Sequence, residues 1–162
     1  MQNTPISFTG TPTPTQQPQH QIITSDPFFP SINLDHLRQA MRIDNTITSE
    51  RLFQAAIEAT IHVNRQLATL KKHCQLTGKN TLAEHAPQQQ INGISIWEHR
   101  YQQAVYNYTL ATLNDQYADY DASGKATARS ETKQHNADQY RRSAHAAIAD
   151  ITGKQRTDAE LI

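Results

Sequence analysis

The residues from 119 to 131 are the part of this sequence that most nearly spells out chemistry. Asp119, Asp121, Ser123 and Gly124 reproduce the opening of a calcium loop, in which oxygens at alternate positions and a glycine at the sharp turn wrap a hard cation. That loop closes with a bidentate glutamate at its twelfth position. Here the position is Ser130, and Glu131 comes one residue late, so the carboxylate clamp is missing. Gly124-Lys125 also invites comparison with a phosphate-cradling loop. Asp119 stands where its first glycine belongs, however, and Ala126 replaces the hydroxyl that would meet magnesium. Neither ion is expected to bind.

Eight histidines raise the question of a transition metal. The spacing that puts two imidazoles on one helix face, His-Glu-x-x-His, does not occur; Glu98-His99 has no second histidine in register. His62 falls on the polar side of a long helix and His145 beside the apolar stripe of another, where solvated side chains are expected. The single cysteine, Cys74, allows no intramolecular disulfide and suits a reducing compartment. It lies within an apolar stripe, and no neighbouring motif would lower its pKa. Serine, histidine and aspartate are present without a nucleophile motif such as G-x-S-x-G. No catalytic residue, metal site or cofactor is expected, and the chain reads as a non-enzyme. Lys125, Arg129, Lys133, Arg141 and Arg142 give its last helix a partly basic flank, interrupted by Glu131 and Asp138. Lys125, Arg129 and Lys133 are the candidates to face DNA.

The elements that would carry these residues are helical. Asn33 is placed to cap a short helix from Leu34 to about Arg42, with Leu37 and Met41 on its inner edge. Thr48 caps a long helix that Gly78 stops. Within it Leu52, Ala56, Ala59, Val63, Leu67, Leu70 and Cys74 step by three or four residues, giving one continuous apolar stripe. Ser95 and Glu98 form a capping-box signature that opens a third helix, running to about Tyr117. That helix has two apolar faces. Trp97, Tyr101, Ala104, Tyr108 and Ala111 lie on one, while Tyr106, Leu110, Leu113 and Tyr117 lie on the other. The second face is either a subunit interface or a second layer of core. Ala137, Tyr140, Ala144, Ala147, Ile148 and Ile151 mark a last helix ended by Gly153. The fold class is all-α, with one short and three long helices in a bundle and extended, flexible arms at both ends.

Three segments result. Residues 1–25 form a Thr/Pro/Gln-rich arm, with no charge from Gln2 to Gln19, that is expected to be disordered. Residues 26–153 form the helical domain, and residues 154–162 a polar tail ending in Leu161-Ile162. Between the arm and the first helix, Asp26-Pro27-Phe28-Phe29-Pro30 is a stiff extended segment with two apolar anchors. Hydrophobic residues make up 36% of the 162-residue chain, below the ~45–50% usual in a soluble globular domain. Part of the chain is therefore unpacked, or packs against partners. Fifteen basic residues balance fifteen acidic ones, which argues against a protein that holds DNA by neutralising many phosphates. No run approaches the ~18 apolar residues of a membrane span, and no charged-then-apolar signal pattern opens the sequence. A soluble protein without a membrane partner is expected.

Taken in order, these residues resemble the head-completion protein L family (GPL) of contractile-tailed phages and related prophages. The resemblance runs from about Asp26 to Arg156. It is carried by Phe28-Phe29-Pro30, by Leu37-Arg38 to Met41-Arg42, and by the long helix starting near Thr48. Ile91-Asn92-Gly93, Tyr101, Ala104-Val105 and Tyr117 follow. Asp121-Ala122-Ser123 and Ile151-Thr152-Gly153-Lys154 with Arg156 complete it. The sequence departs from the family in its Thr/Pro/Gln-rich arm and in Leu34, where a proline often starts the first helix. The resemblance implies a structural virion protein of the capsid–tail neck, present in the host cytoplasm during assembly. It implies a homo-oligomeric ring, typically dodecameric, beneath the portal. Such a ring stabilises the DNA-filled head, docks neck and tail-completion proteins, and lets DNA pass without sequence-specific binding. On this reading Leu161 and Ile162, together with Phe28 and Phe29, are candidates to touch the portal or another partner. A rival reading is a soluble helical regulatory or DNA-associated protein of a phage or prophage. Salt-sensitive DNA binding by the isolated chain would favour it.

Overall fold

The computed structural model describes residues 21–122 and 127–154 and, of these, the side chains outside 118–131. Five helices and two very short antiparallel strand pairs make up the described fold. The helices are α1 (Leu34–Ala40), α2 (Ser49–Gln66), α3 (Ala68–Leu76), α4 (Ile96–Ala122) and α5 (Thr127–Thr152). Strand β1 (Ile22–Ile23) pairs with β2 (Ile32–Asn33), and β3 (Gln90–Ile91) with β4 (Ile94–Ser95). A single 3-10 turn, Ala83–His85, lies between α3 and β3.

The helix starts follow from their caps. Asn33 accepts from the His36 N–H at 2.9 Å, and Thr48 from the Arg51 N–H at 3.3 Å. At α4 the capping is reciprocal: the Trp97 N–H donates to Ser95 Oγ at 3.3 Å, and the Ser95 N–H donates to Glu98 Oε2 at 3.2 Å. Gly78 ends α3 with φ +78°, its N–H bonded to Gln75 O while the Lys79 N–H reaches Cys74 O. This is the Schellman arrangement, which needs a left-handed residue just past the helix. The same pair of bonds closes α1, but there the left-handed residue is Arg42, at φ +51°.

Helix α4 is the axis of the molecule. It packs along α5 on one side and crosses α2 on the other. Every residue from Ala104 to Ala111 is buried, as expected of a helix covered all round. Its buried polar side chains turn inward on their own helix: Asn107 Nδ2 donates to Gln103 O at 2.7 Å, and Thr109 Oγ1 to Val105 O at 2.8 Å. Ala137, Ala144, Ala147, Ile148 and Ile151 form the buried stripe of α5. Small residues there allow the close approach that compensates for the little area each one buries.

The fold class is the expected one, with three differences. The single long helix from Thr48 to Gly78 is two helices, interrupted at Leu67 (φ −91°, ψ 1°). On either side of it the stripe has different surroundings: α2, with Val63 buried, packs against α4, while Cys74 of α3 lies 3.5 Å from His85 of the 3-10 turn. Helices α4 and α5 also extend beyond the expected bounds, to Ala122 and back to Thr127. Finally, the expected arm of residues 1–25 enters the described fold at Gln21. There β1 pairs with β2, the Leu34 N–H donates to Gln21 O at 2.8 Å, and Ile23 is buried. Two adjacent isoleucines bring the apolar surface that the preceding Thr/Pro/Gln stretch lacks. Residues 1–20 lie outside the described part.

Candidate interaction surfaces

The extended segment after β1 is fastened through Ser25, Asp26, Phe28 and Phe29. Asp26 pairs with Lys71 and accepts the Phe28 N–H at 2.9 Å; these bonds, Lys71's first, hold its carboxyl below the usual carboxylate range. The Leu82 N–H donates to Phe28 O at 2.8 Å. Phe28 and Phe29 meet edge to face, and Phe29 stacks on Tyr101 of α4. The Tyr101 hydroxyl donates to Asn64 Oδ1 at 2.7 Å, and Asn64 Nδ2 donates to Ser25 Oγ at 3.1 Å. Phe28 is 2% and Phe29 7% exposed, so both rings are held within the chain. Both rings are packed onto the helical body, as the proline-flanked segment with its two apolar anchors led one to expect.

The second apolar face of α4 meets α1 and the loop behind it. Tyr106, Leu110 and Leu113 are buried, and the Tyr106 hydroxyl lies 2.7 Å from His36 Nδ1. A cavity of about 230 Å³ is lined by Ile47, Leu110, Leu113 and Tyr117 among others. Tyr117 is only partly buried and lies between two cations, the Arg51 guanidinium 5.3 Å and the Lys133 ammonium 5.0 Å from its ring centre. Three of the four residues are thus core within one chain, and Tyr117 sits at its edge.

Of the expected DNA-facing residues, Lys133 stands over the Tyr117 ring. The side chains of Lys125 and Arg129 lie outside the described part, as do Leu161, Ile162 and the carboxylates of the calcium-like loop. Arg141 bridges Asp115 and Asp138, so the basic flank of α5 is partly neutralised by the fold. His62 and His145 are exposed, as expected, but they are not isolated. They flank Tyr108, whose hydroxyl is 3.2 Å from His145 Nε2 and accepts from Gln66 Nε2 at 2.9 Å. Burial, followed by the charges of His145 and Arg65, pushes the His62 pKa down. Cys74 is buried, and burial pushes its thiol pKa up, the opposite of what a reactive cysteine needs. Among the described residues no group of three or more His, Cys, Asp or Glu side chains is placed to hold a metal. Among them, too, no helix is long and apolar enough to cross a membrane.

Two apolar surface features go beyond the sequence expectations. Phe53, Ile57 and Ile61, spaced by four, form a second apolar stripe on α2 beside β1. Ile91 and Ile94 flank the Asn92-Gly93 turn of the β3–β4 hairpin and are both exposed. The Asn-Gly pair between two isoleucines was the available signal: both turn residues have positive φ, +52° and +76°, as a type I′ turn requires.

The described chain is a helical body whose polar clusters bind its own elements together and whose surface keeps uncharged apolar patches. The chain belongs to the phage head completion protein (GPL) family, whose profile matches residues 23–162. That family is structural and not enzymatic. The chain is also similar to the head completion/stabilization protein of Escherichia phage P2, at 29% identity over 153 residues, which cover 94% of this chain and 90% of the relative. No solved structure matches it.

Proposed function

We propose that this chain is the subunit of a homo-oligomeric ring, dodecameric in the arrangement its family resemblance implies, that sits beneath the portal of a DNA-filled head. The ring stabilises the filled head and provides the docking platform for neck and tail-completion proteins. The observation that carries this reading is the family match over residues 23–162, which includes nearly all of the described fold. The relative's description as a head completion/stabilization protein points the same way. In this reading Gly153–Ile162 reaches the portal with Leu161 and Ile162 as its apolar tip, and Lys125, Arg129 and Lys133 face the passing DNA. Truncation after Gly153 should abolish head completion, and alanine at the three basic positions should reduce packaged genome.

The deciding experiment is quantification of the protein by mass spectrometry in purified intact virions of the phage or prophage that encodes it. A fixed copy number close to that of the portal is expected. Absence from virions, despite expression during particle assembly, would overturn the reading.

A further inference from the structure

Five large hydrophobic residues are exposed among the described ones, and four of them gather in two patches. One patch is concave. Ile22 (56% exposed) and Ile61 (50%) rim a groove of about 390 Å³ between β1 and α2, floored by Ile23, Phe53, Ile57 and Thr60. The other is convex. Ile91 (57%) and Ile94 (45%) sit opposite each other across the tip of the β3–β4 hairpin, held there by the Asn92-Gly93 turn.

Neither patch carries charge. No ionisable residue lines the groove. Three other grooves among the described residues carry charge: Asp26, Arg65, Lys71 and Lys72 in one, Glu58, Arg65 and Arg141 in a second, Asp44 and Lys133 in a third. The hairpin from Gln88 to Ser95 is likewise free of charged residues. Bringing the two together desolvates no ion, and depletion of charge is the compositional mark of an interface core. Within the chain the hairpin tip does not occupy the groove. The hairpin leads into the end of α4 where Tyr101 meets Asn64, whereas the groove lies further back along α2, from Ile61 to Phe53, and neither Ile91 nor Ile94 lines it.

We infer that the Ile91–Ile94 hairpin tip of one copy seats in the Ile22–Ile57–Ile61 groove of the next. A contact between two different patches is heterologous, and repeated it closes into a ring or runs on as a filament. The inference rests on the ring reading above and names the surface by which neighbouring copies hold one another.

The test uses heads assembled with the full chain carrying both Ile61→Cys and Ile94→Cys. Cys74 is buried and serves as the silent background thiol. Mild oxidation should give a ladder of dimers and higher oligomers on a non-reducing gel, while each single variant gives none. A disulfide-linked dimer from Ile61→Cys alone would mean that groove faces groove, and would overturn the inference. So would the absence of a ladder from the double variant in heads that hold several copies by mass spectrometry; the ring reading would survive that result. A single copy per head would overturn both. In parallel, Ile91→Asp with Ile94→Asp should leave the circular dichroism and Tm of the isolated chain unchanged, yet lower incorporation into heads at least tenfold. Unchanged incorporation would overturn the inference.

Discussion

Phe29 lies flat against Tyr101, with ring centres 5.1 Å apart and planes 8° from parallel. One residue belongs to a proline-flanked extended segment and the other to the central helix, so this stack fastens the start of the described chain to the axis of the bundle. Tyr101 is fully buried and its hydroxyl is bonded to Asn64. Truncating Phe29 would leave a cavity against a ring that cannot follow. Phe29→Ala should therefore cost about 3–5 kcal/mol, visible as a fall in Tm of roughly 10 °C or more. A change within error would mean that the segment contributes little to the fold.

Burial pushes the phenols of Tyr101 and Tyr106 up to about 12, against an ordinary value of 10. Below pH 10 folded and unfolded chains both keep these protons, and the contribution to stability is complete. Between pH 10 and 12 the unfolded chain gives up protons that the folded chain holds, so stability falls as pH rises. For Tyr101 the loss is about 2–3 kcal/mol across that window. Tyr101→Phe with Tyr106→Phe should have a flatter alkaline limb in a Tm-against-pH series. Its starting stability should be lower by about 1 kcal/mol per hydrogen bond removed. Limbs of equal slope would contradict the assignment.

Much of this could be read in advance, for reasons that differ by residue. Asn33, Thr48, Ser95 with Glu98, and Gly78 act through bonds two to four residues long, and such local chemistry is written in the sequence. The stripe from Leu52 to Cys74 was legible, but its interruption at Leu67 was not. Both halves keep the same phase, no proline or glycine marks the place, and the different surroundings of the two halves are made by the fold. The two-faced character of α4 was legible too, though the pattern could not tell a neighbouring subunit from the chain's own α1. Tyr106 and His36 are brought together only by the fold. The pairing of Phe29 with Tyr101 and the crowding of His62 and His145 around Tyr108 are of the same kind. The exposure of Ile22, Ile61, Ile91 and Ile94 was not legible. Ile22 fell in the expected arm, Ile91 stood only as part of a family motif, and the two strand pairs that present Ile22, Ile91 and Ile94 are made by the fold.

Two left-handed residues test the same backbone argument in opposite directions. Arg42 closes α1 at φ +51°, where a side chain bearing a Cβ is strained by roughly 1–2 kcal/mol. Glycine relieves that strain but adds freedom to the unfolded chain, so Arg42→Gly should stabilise by a net amount of about 0.5–1 kcal/mol. At Gly93 (φ +76°) a new Cβ would meet nothing within 4 Å, so only the dihedral opposes it. Gly93→Ala should destabilise by about 1 kcal/mol. Chemical denaturation of the two variants should shift the midpoints in opposite senses, with slopes unchanged. Shifts of the same sign would show that side-chain contacts, rather than backbone conformation, govern these positions.

Tyr106 and Tyr117 lie on one face of α4 three turns apart, yet serine at each should have very different consequences. Tyr106 is buried among α1 and the core, and its hydroxyl is bonded to His36. Removing its ring should cost about 3–5 kcal/mol, as for other buried aromatics. Tyr117 is partly buried; it loses the cation–π contacts of Arg51 and Lys133, each worth roughly 0.5–1 kcal/mol where solvent has access. Tyr106→Ser should therefore lower Tm severalfold more than Tyr117→Ser in the isolated chain. If Tyr117 also meets a neighbouring copy, its variant should fold almost normally and fail at incorporation into heads. Comparison of Tm with copy number per head separates the two effects. Equal losses of stability at both positions would mean that the face is one continuous core, with no edge left for a neighbour.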